Sequence, residues 1–338
     1  MAETKLGAIG DLPLEGGGVL RNAALAYVTY GTLSPDGRNA VLLTHGYTSS
    51  HLFAESGPGA SEGSWGGLVG PGHAIDTDRF FVVSSNMLGS SFGSTAPRSP
   101  NPASGRAYGP DFPPITLLDI VTAQRRLLDS LGVRGLIAVV GPSYGGFQAF
   151  TWGIAFPDFV RDLVPVVTGP RAPGTDLDAL QRRFAGDANW NGGHYYEAGG
   201  IGATMTALRE ETLRRYGIEA QLAALLPDPA ERAAEITRAA RAWAEVFDAH
   251  SMLVLGRAAN AFDATAELAE LQARVLYVLS RSDSLFPPRL APGVMAAMQA
   301  GGVDARYVEI DSPHGHLASG VDSAKWAPQL AAFLAGLD

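Results

Sequence analysis

Short apolar runs recur along this chain, each stopping at polar or glycine-containing residues. Leu25–Gly31 (LAYVTYG) is strand-like, and Asp36-Gly37 marks a turn before the next strand. Ala40–Gly46 (AVLLTHG), Arg79–Asn86 (RFFVVSSN), Leu136–Ser143 (LIAVVGPS) and Leu163–Gly169 (LVPVVTG) follow, then Val275–Asp283 (VLYVLSRSD) and Ala305–Ser312 (ARYVEIDS). Such runs suit strands covered on both faces of a parallel sheet. Between them lie helical patterns. Thr116–Leu131 repeats its apolar residues at three and four, with Gly132 as the stop, and Gly145–Phe156 follows a strand directly and ends at Pro157. The terminal WAPQLAAFLAGL is helical as well. This alternation predicts an α/β protein with a mostly parallel, doubly wound sheet.

The alternation breaks near Pro170 and resumes near Arg274. The interval is rich in Ala, Arg, Glu and Leu, with a helical stretch over Asp228–Ala249. It reads as a helical lid, residues 170–273, inserted into a core made of residues 1–169 and 274–338. Its polar stretch Arg209–Arg215 (REETLRR) reads as a solvated helix face. The lid aromatics Phe184, Trp190, Tyr195, Tyr196, Trp243 and Phe247 suit an acyl pocket or a dimer contact, and most of them read as lid core.

Composition narrows the function. The 338 residues are 46% apolar and 17% charged, enough for a large core and unlike a disordered chain. Lys+Arg 25 against Asp+Glu 34 leaves −9, which disfavours nucleic acid or an anionic membrane as the main partner. Absence of cysteine excludes disulfides, thiol catalysis and cysteine-bound metals. No His/Asp/Glu set has metal-ligand spacing, so no metal is expected. The N-terminal segment lacks the apolar run of a signal peptide, and no window matches a membrane helix, so a cytoplasmic location is the expectation. Phosphate-loop and dinucleotide fingerprints are missing.

The candidate chemistry begins at Gly141-Pro142-Ser143-Tyr144-Gly145, a G-x-S-x-G between an apolar strand and a helix. A strand–turn–helix corner of this kind lifts the Ser143 hydroxyl above the sheet and points helix N-terminal amides at developing negative charge. A serine nucleophile needs a base and an orienting acid, in the chain order Ser, Asp/Glu, His. Asp283 and His316 follow later strands and satisfy that order. His314 competes for the base, and Gly315 favours His316 by allowing a tight turn. Oxyanion donors are expected from the backbone of Tyr144 and of Tyr47, the latter on a loop held by His45. His51, His73, His194 and His250 read as structural or surface residues.

LVGPGHAIDTDRFFVVSSN (68–86), GPSYGG (141–146), QRRFAGDANWNGGHYY (181–196), SDSLFPP (282–288) and VEIDSPHGHLAS (308–319) together resemble the homoserine O-acetyltransferases of the α/β-hydrolase superfamily, over nearly the whole chain. The resemblance implies an α/β-hydrolase fold and a ping-pong mechanism through acyl-Ser143. Acetyl-CoA is the implied donor, with no tightly bound cofactor, and a small hydroxylic molecule is the acceptor. A homodimer is implied by the resemblance alone. Departures gather at the acceptor site. The family's Asp after the catalytic His is Leu317 here. Met205 and Thr212 stand near the places where its lid helix carries a substrate-gripping Arg and Tyr, and its elbow Met is Tyr144. An apolar Leu317 cannot pair with an ammonium group. The expectation is therefore a retained acyl-serine chemistry with altered acceptor recognition, narrowly favouring hydrolysis of a small ester, with acetyl-CoA-dependent O-acetylation of homoserine or another small alcohol as the alternative.

Overall fold

A computed structural model describes residues 2–56 and 63–336. Among these, the main sheet has eight strands: β1 (Lys5–Pro13), β2 (Val19–Tyr30), β3 (Ala40–Thr44), β4 (Phe81–Ser85), β5 (Leu136–Pro142), β6 (Val160–Val166), β7 (Arg274–Ser280) and β8 (Ala305–Ile310). Their order is β1-β2-β4-β3-β5-β6-β7-β8. β1, β2 and β4 pair antiparallel in turn, and every pair from β4 onward is parallel.

The apolar runs are continuous because both faces are covered. All five residues of β3 are buried, with Leu42 packed in one core cluster and Val41 and Leu43 in the other. The first cluster holds side chains of α1 (Leu117–Ser130) and α2 (Tyr144–Ala155), the second those of the C-terminal helix Ala327–Ala335 with Trp65 and Trp326. Thr116 caps α1, accepting from the Asp119 amide while the Asp119 carboxylate accepts from the Thr116 amide.

Between β6 and β7 lie α3 (Leu177–Ala185), α4 (Gly202–Tyr216), α5 (Ile218–Ala223), α6 (Pro229–Ala244) and α7 (Ala249–Ala261). They carry small apolar clusters of their own. Phe184, Trp190, Tyr195 and Phe247 form one, and Leu213, Ile218, Ile236 and Ala240 form another. The stretch over Asp228–Ala249 is broken into α6, capped by Asp228, and the start of α7. None of the described helices is long and apolar enough to cross a membrane.

Candidate active site

Ser143 sits at the tip of β5 with φ +55° and ψ −118°, a strained backbone for a residue bearing a β-carbon. Its surroundings over-determine that shape. The Ser143 amide donates to Val166 O at 2.8 Å, and the Ser143 carbonyl accepts from Thr168 Oγ1 and the Gly146 amide, each at 2.8 Å. The flanking glycines leave room for this. A β-carbon on Gly145 would lie 2.1 Å from the Thr44 carbonyl oxygen, and one on Gly146 2.3 Å from Thr168 Cγ2. Strand, elbow and helix therefore meet at distances no side chain permits.

Asp283 and His316 come together from the ends of β7 and β8. His316 Nδ1 lies 2.8 Å from Asp283 Oδ2, both groups being buried. The other carboxylate oxygen accepts from the Leu285 amide at 2.8 Å and the Phe286 amide at 3.3 Å. Asp283 is thus oriented by the backbone before it meets the ring. Tyr216 and Phe286 flank the imidazole, ring centroids at 4.9 and 5.9 Å. His314 turns elsewhere, its Nε2 lying 3.9 Å from Asp322. Gly315, with φ +56°, makes the turn between the two histidines. His316 and Ser143 line one cavity of about 300 Å³.

Tyr144 is the first residue of α2, so its amide has no acceptor within the helix. Tyr47 borders the same cavity from the loop after β3. The two side chains stack at 5.8 Å with rings nearly parallel, and both anchor to α7: Tyr47 donates to Met252 O and Tyr144 to Leu255 O. His45 ties down the loop. The Met87 amide donates to its Nε2 at 3.1 Å, which leaves Nδ1 as the donor to Gly46 O at 2.8 Å. Burial pushes the His45 pKa down to about 4, so this tautomer is neutral at physiological pH. Beneath it, Gln148 Nε2 donates to His45 O at 3.2 Å, and Gln124 Nε2 donates to Gln148 Oε1 at 2.7 Å.

Of the two lid positions, Met205 needs correction and Thr212 does not. Met205 does not line the cavities that touch Ser143; it is buried among Phe184, Tyr195 and Phe247. Thr212 does line a second, smaller cavity beside Ser143, with its hydroxyl donating back to Leu208 O. One turn beyond Met205, Arg209 enters the 300 Å³ cavity, and Tyr216 joins it seven residues on. Arg209 is 4% exposed, so Arg209–Arg215 is not uniformly a solvated face. Its guanidinium donates to Thr48 Oγ1 at 2.8 Å and lies 5.0 Å over the Trp243 ring. Burial lowers its pKa to about 10, which keeps it charged at neutral pH. An Arg and a Tyr thus border this cavity, each four residues after Met205 and Thr212. The sequence signal was present: of the three buried positions on α4, spaced by four, Arg209 alone is polar, between Met205 and Leu213. Leu317 borders the cavity and packs with Leu213, Ile236 and Ala240 of the lid. Among the described residues no group of three His, Cys, Asp or Glu has the arrangement to hold a metal ion.

Residues 39–322 match the model of the alpha/beta hydrolase fold family. The chain is 36% identical to the homoserine O-succinyltransferase of Methylibium petroleiphilum, over 96% of this chain and 91% of that protein. It is likewise 36% identical to the homoserine O-acetyltransferase of Gluconobacter oxydans, again over 96% and 91%. The solved structure of esterase E22 superposes with a TM-score of 0.88 at 27% identity, covering 99% of this chain and all of that one.

Proposed function

We propose, for an enzyme that belongs to the alpha/beta hydrolase fold family and to its homoserine O-acyltransferase-like members, a two-step acyl transfer through Ser143 that ends on water. The substrate class is a small ester or related acyl compound. In this reading Ser143 Oγ attacks the acyl carbon and its proton passes to His316 Nε2. Asp283 accepts from Nδ1–H and stabilises the imidazolium. The amides of Tyr47 and Tyr144 receive the oxyanion, and losing one such donor typically costs about 3 kcal/mol of transition-state stabilisation. The bond to the leaving group breaks, and His316 returns the proton to the departing alcohol or thiol. Water then attacks the acyl-enzyme with His316 as base, releasing the acid and free Ser143. Residues 1–169 and 274–338 are the catalytic frame, and 170–273 its lid.

Leu317 carries the choice of water. It stands where the resembled family has a carboxylate for the acceptor's ammonium, and it is absorbed into an apolar lid cluster. A zwitterionic acceptor meets no anion at that position.

A second reading, acetyl-CoA-dependent transfer to homoserine or another small alcohol, is favoured by Arg209 and Tyr216, a buried cation and a phenol in the same cavity as Ser143. Thiol release from acetyl-CoA, followed with and without L-homoserine beside p-nitrophenyl acetate hydrolysis, separates the two; the protein has no thiol of its own. Hydrolysis predicts ester cleavage that Ser143→Ala abolishes and thiol release indifferent to homoserine. Strong acceleration by homoserine overturns hydrolysis in favour of transfer.

A further inference from the structure

Two cavities meet at Ser143. The larger, about 300 Å³, is bordered by His316, Arg209 and Glu55. The smaller, about 210 Å³, is bordered by Phe147, Met252, Ala259, Leu285 and Phe286. Ser143, Tyr47, Thr48 and Tyr216 line both, so the serine stands at the junction.

We infer that the smaller cavity is the acyl subsite and that it selects unbranched acyl groups of about four to six carbons over acetyl. The inference rests on the reading of Ser143 as nucleophile and His316 as general acid. When the tetrahedral intermediate collapses, the leaving oxygen must receive a proton from His316. Its substituent therefore extends on the His316 side, into the larger cavity, which His316 borders. With the oxyanion directed at the Tyr47 and Tyr144 amides, the remaining substituent of the acyl carbon has the smaller cavity before it.

The lining suits a hydrocarbon chain. Phenylalanine, leucine and methionine side chains give little to a charged or hydroxylated group and much to methylenes. At about 30 Å³ per water-sized group, the volume admits on the order of seven such groups. The same cavity reaches Glu211 and Arg215, both exposed, and Glu211 is paired with Arg183 at 2.7 and 2.8 Å. A longer chain would press methylenes against that charged rim, which sets an upper length.

The test uses p-nitrophenyl acetate, butyrate, hexanoate and decanoate with the full chain. Each methylene taken into the cavity is expected to raise kcat/KM about fourfold, with a decline at decanoate. Ala259→Leu from α7 and Ala172→Leu from the half-buried loop beside it fill the cavity from two sides. Both should erase the preference for hexanoate, read as the ratio of kcat/KM for hexanoate to that for acetate falling to about one. Should Ala259→Leu fail to fold, Ala172→Leu carries the test. A wild-type preference for acetate, or an equal loss on acetate and hexanoate in the variants, overturns the acyl-subsite assignment while the serine reading stands. Failure of every ester, together with no fluorophosphonate labelling of Ser143, overturns the serine reading itself and this inference with it.

Discussion

Gly217, the residue that ends α4, lies against the backbone of His314: a β-carbon there would stand 2.7 Å from the His314 carbonyl oxygen. The contact is reciprocal, since a β-carbon on Gly315 would lie 3.0 Å from the Tyr216 carbonyl oxygen. The helix that carries Arg209 and Tyr216 and the loop that carries His316 thus meet backbone to backbone. Gly217 also has φ +101°, a left-handed cap that ends the helix. Gly217→Ala is expected to lower stability by about 1–3 kcal/mol from backbone strain alone. Thermal unfolding measures that loss. A parallel fall in kcat for an ester shows that the loop carrying His316 moves with the lid; unchanged kcat shows that it does not.

Gln148 is fully buried and holds the His45 carbonyl from beneath. Replacing it by Leu removes that donor and leaves the Gln124 amide without its acceptor, at about 1–3 kcal/mol of stability. Because Gln148 does not border either cavity at Ser143, the expected kinetic signature is a lower kcat with KM nearly unchanged. A rise in KM at constant kcat would speak against a role in holding the oxyanion loop. Steady-state kinetics and urea unfolding of the same preparation separate the two effects.

Leu317→Asp places a carboxylate in the apolar cluster of Leu213, Ile236 and Ala240 and at the edge of the cavity. Stability is expected to fall by a few kcal/mol, as when a polar group loses its solvent. If the missing charge is what disfavours an amino-acid acceptor, the ratio of homoserine acylation to hydrolysis should rise about tenfold, since a site made to pair with a charged acceptor gains at least one such interaction. Product analysis by mass spectrometry, with acetyl-CoA as donor, reads that ratio. An unchanged ratio would place acceptor choice elsewhere in the cavity.

Acid sensitivity follows from buried histidines: His250 is lowered by burial, and His45 and His51 are lowered furthest. Burial pushes His45 and His51 each down to about 4, against an ordinary value of 6.5. Between those limits the unfolded chain binds protons that the folded chain refuses, so stability falls as pH falls from 6.5 toward 4 and levels off below. The slope is about 1.4 kcal/mol per pH unit for each histidine. Urea unfolding at pH 7, 6 and 5 measures it. His51→Gln, whose ring partner is Thr4 Oγ1 at 2.9 Å, should remove about half of the slope that His45 and His51 contribute together and leave the part due to His250.

The central strands were legible because two-sided burial leaves nothing polar in them, as in β3. β1 escaped notice for the opposite reason. It is an edge strand, mostly exposed, with two glycines and register shifts around Gly10. At the site, the elbow was legible because its glycines have steric work to do against Thr44 and Thr168. The approach of His316 to Asp283 needed only the topological habit of parallel sheets, which gathers loops at one strand edge. Arg209 was misread because a buried cation breaks the apolar stripe by which a helix face is recognised; its partners, Thr48 and Trp243, are 161 and 34 positions away in sequence. The spacing of four from Met205 through Arg209 to Leu213 carries a local sign of its burial, but no local pattern records those partners.

The placement of the indoles gives the molecule a built-in optical probe. Of its five tryptophans, Trp152, Trp190 and Trp326 are buried and border neither cavity at Ser143. Trp65 and Trp243 border the 300 Å³ cavity, and Trp243 donates its Nε1–H to the Thr48 carbonyl while Arg209 covers its ring. A molecule entering beside Ser143 alters the surroundings of those two indoles directly, while Trp152 and Trp190 stay apart from it and Trp326 is reached only through its edge contact with Trp65. Occupancy of the site is therefore written into the protein's own emission spectrum, without label or turnover.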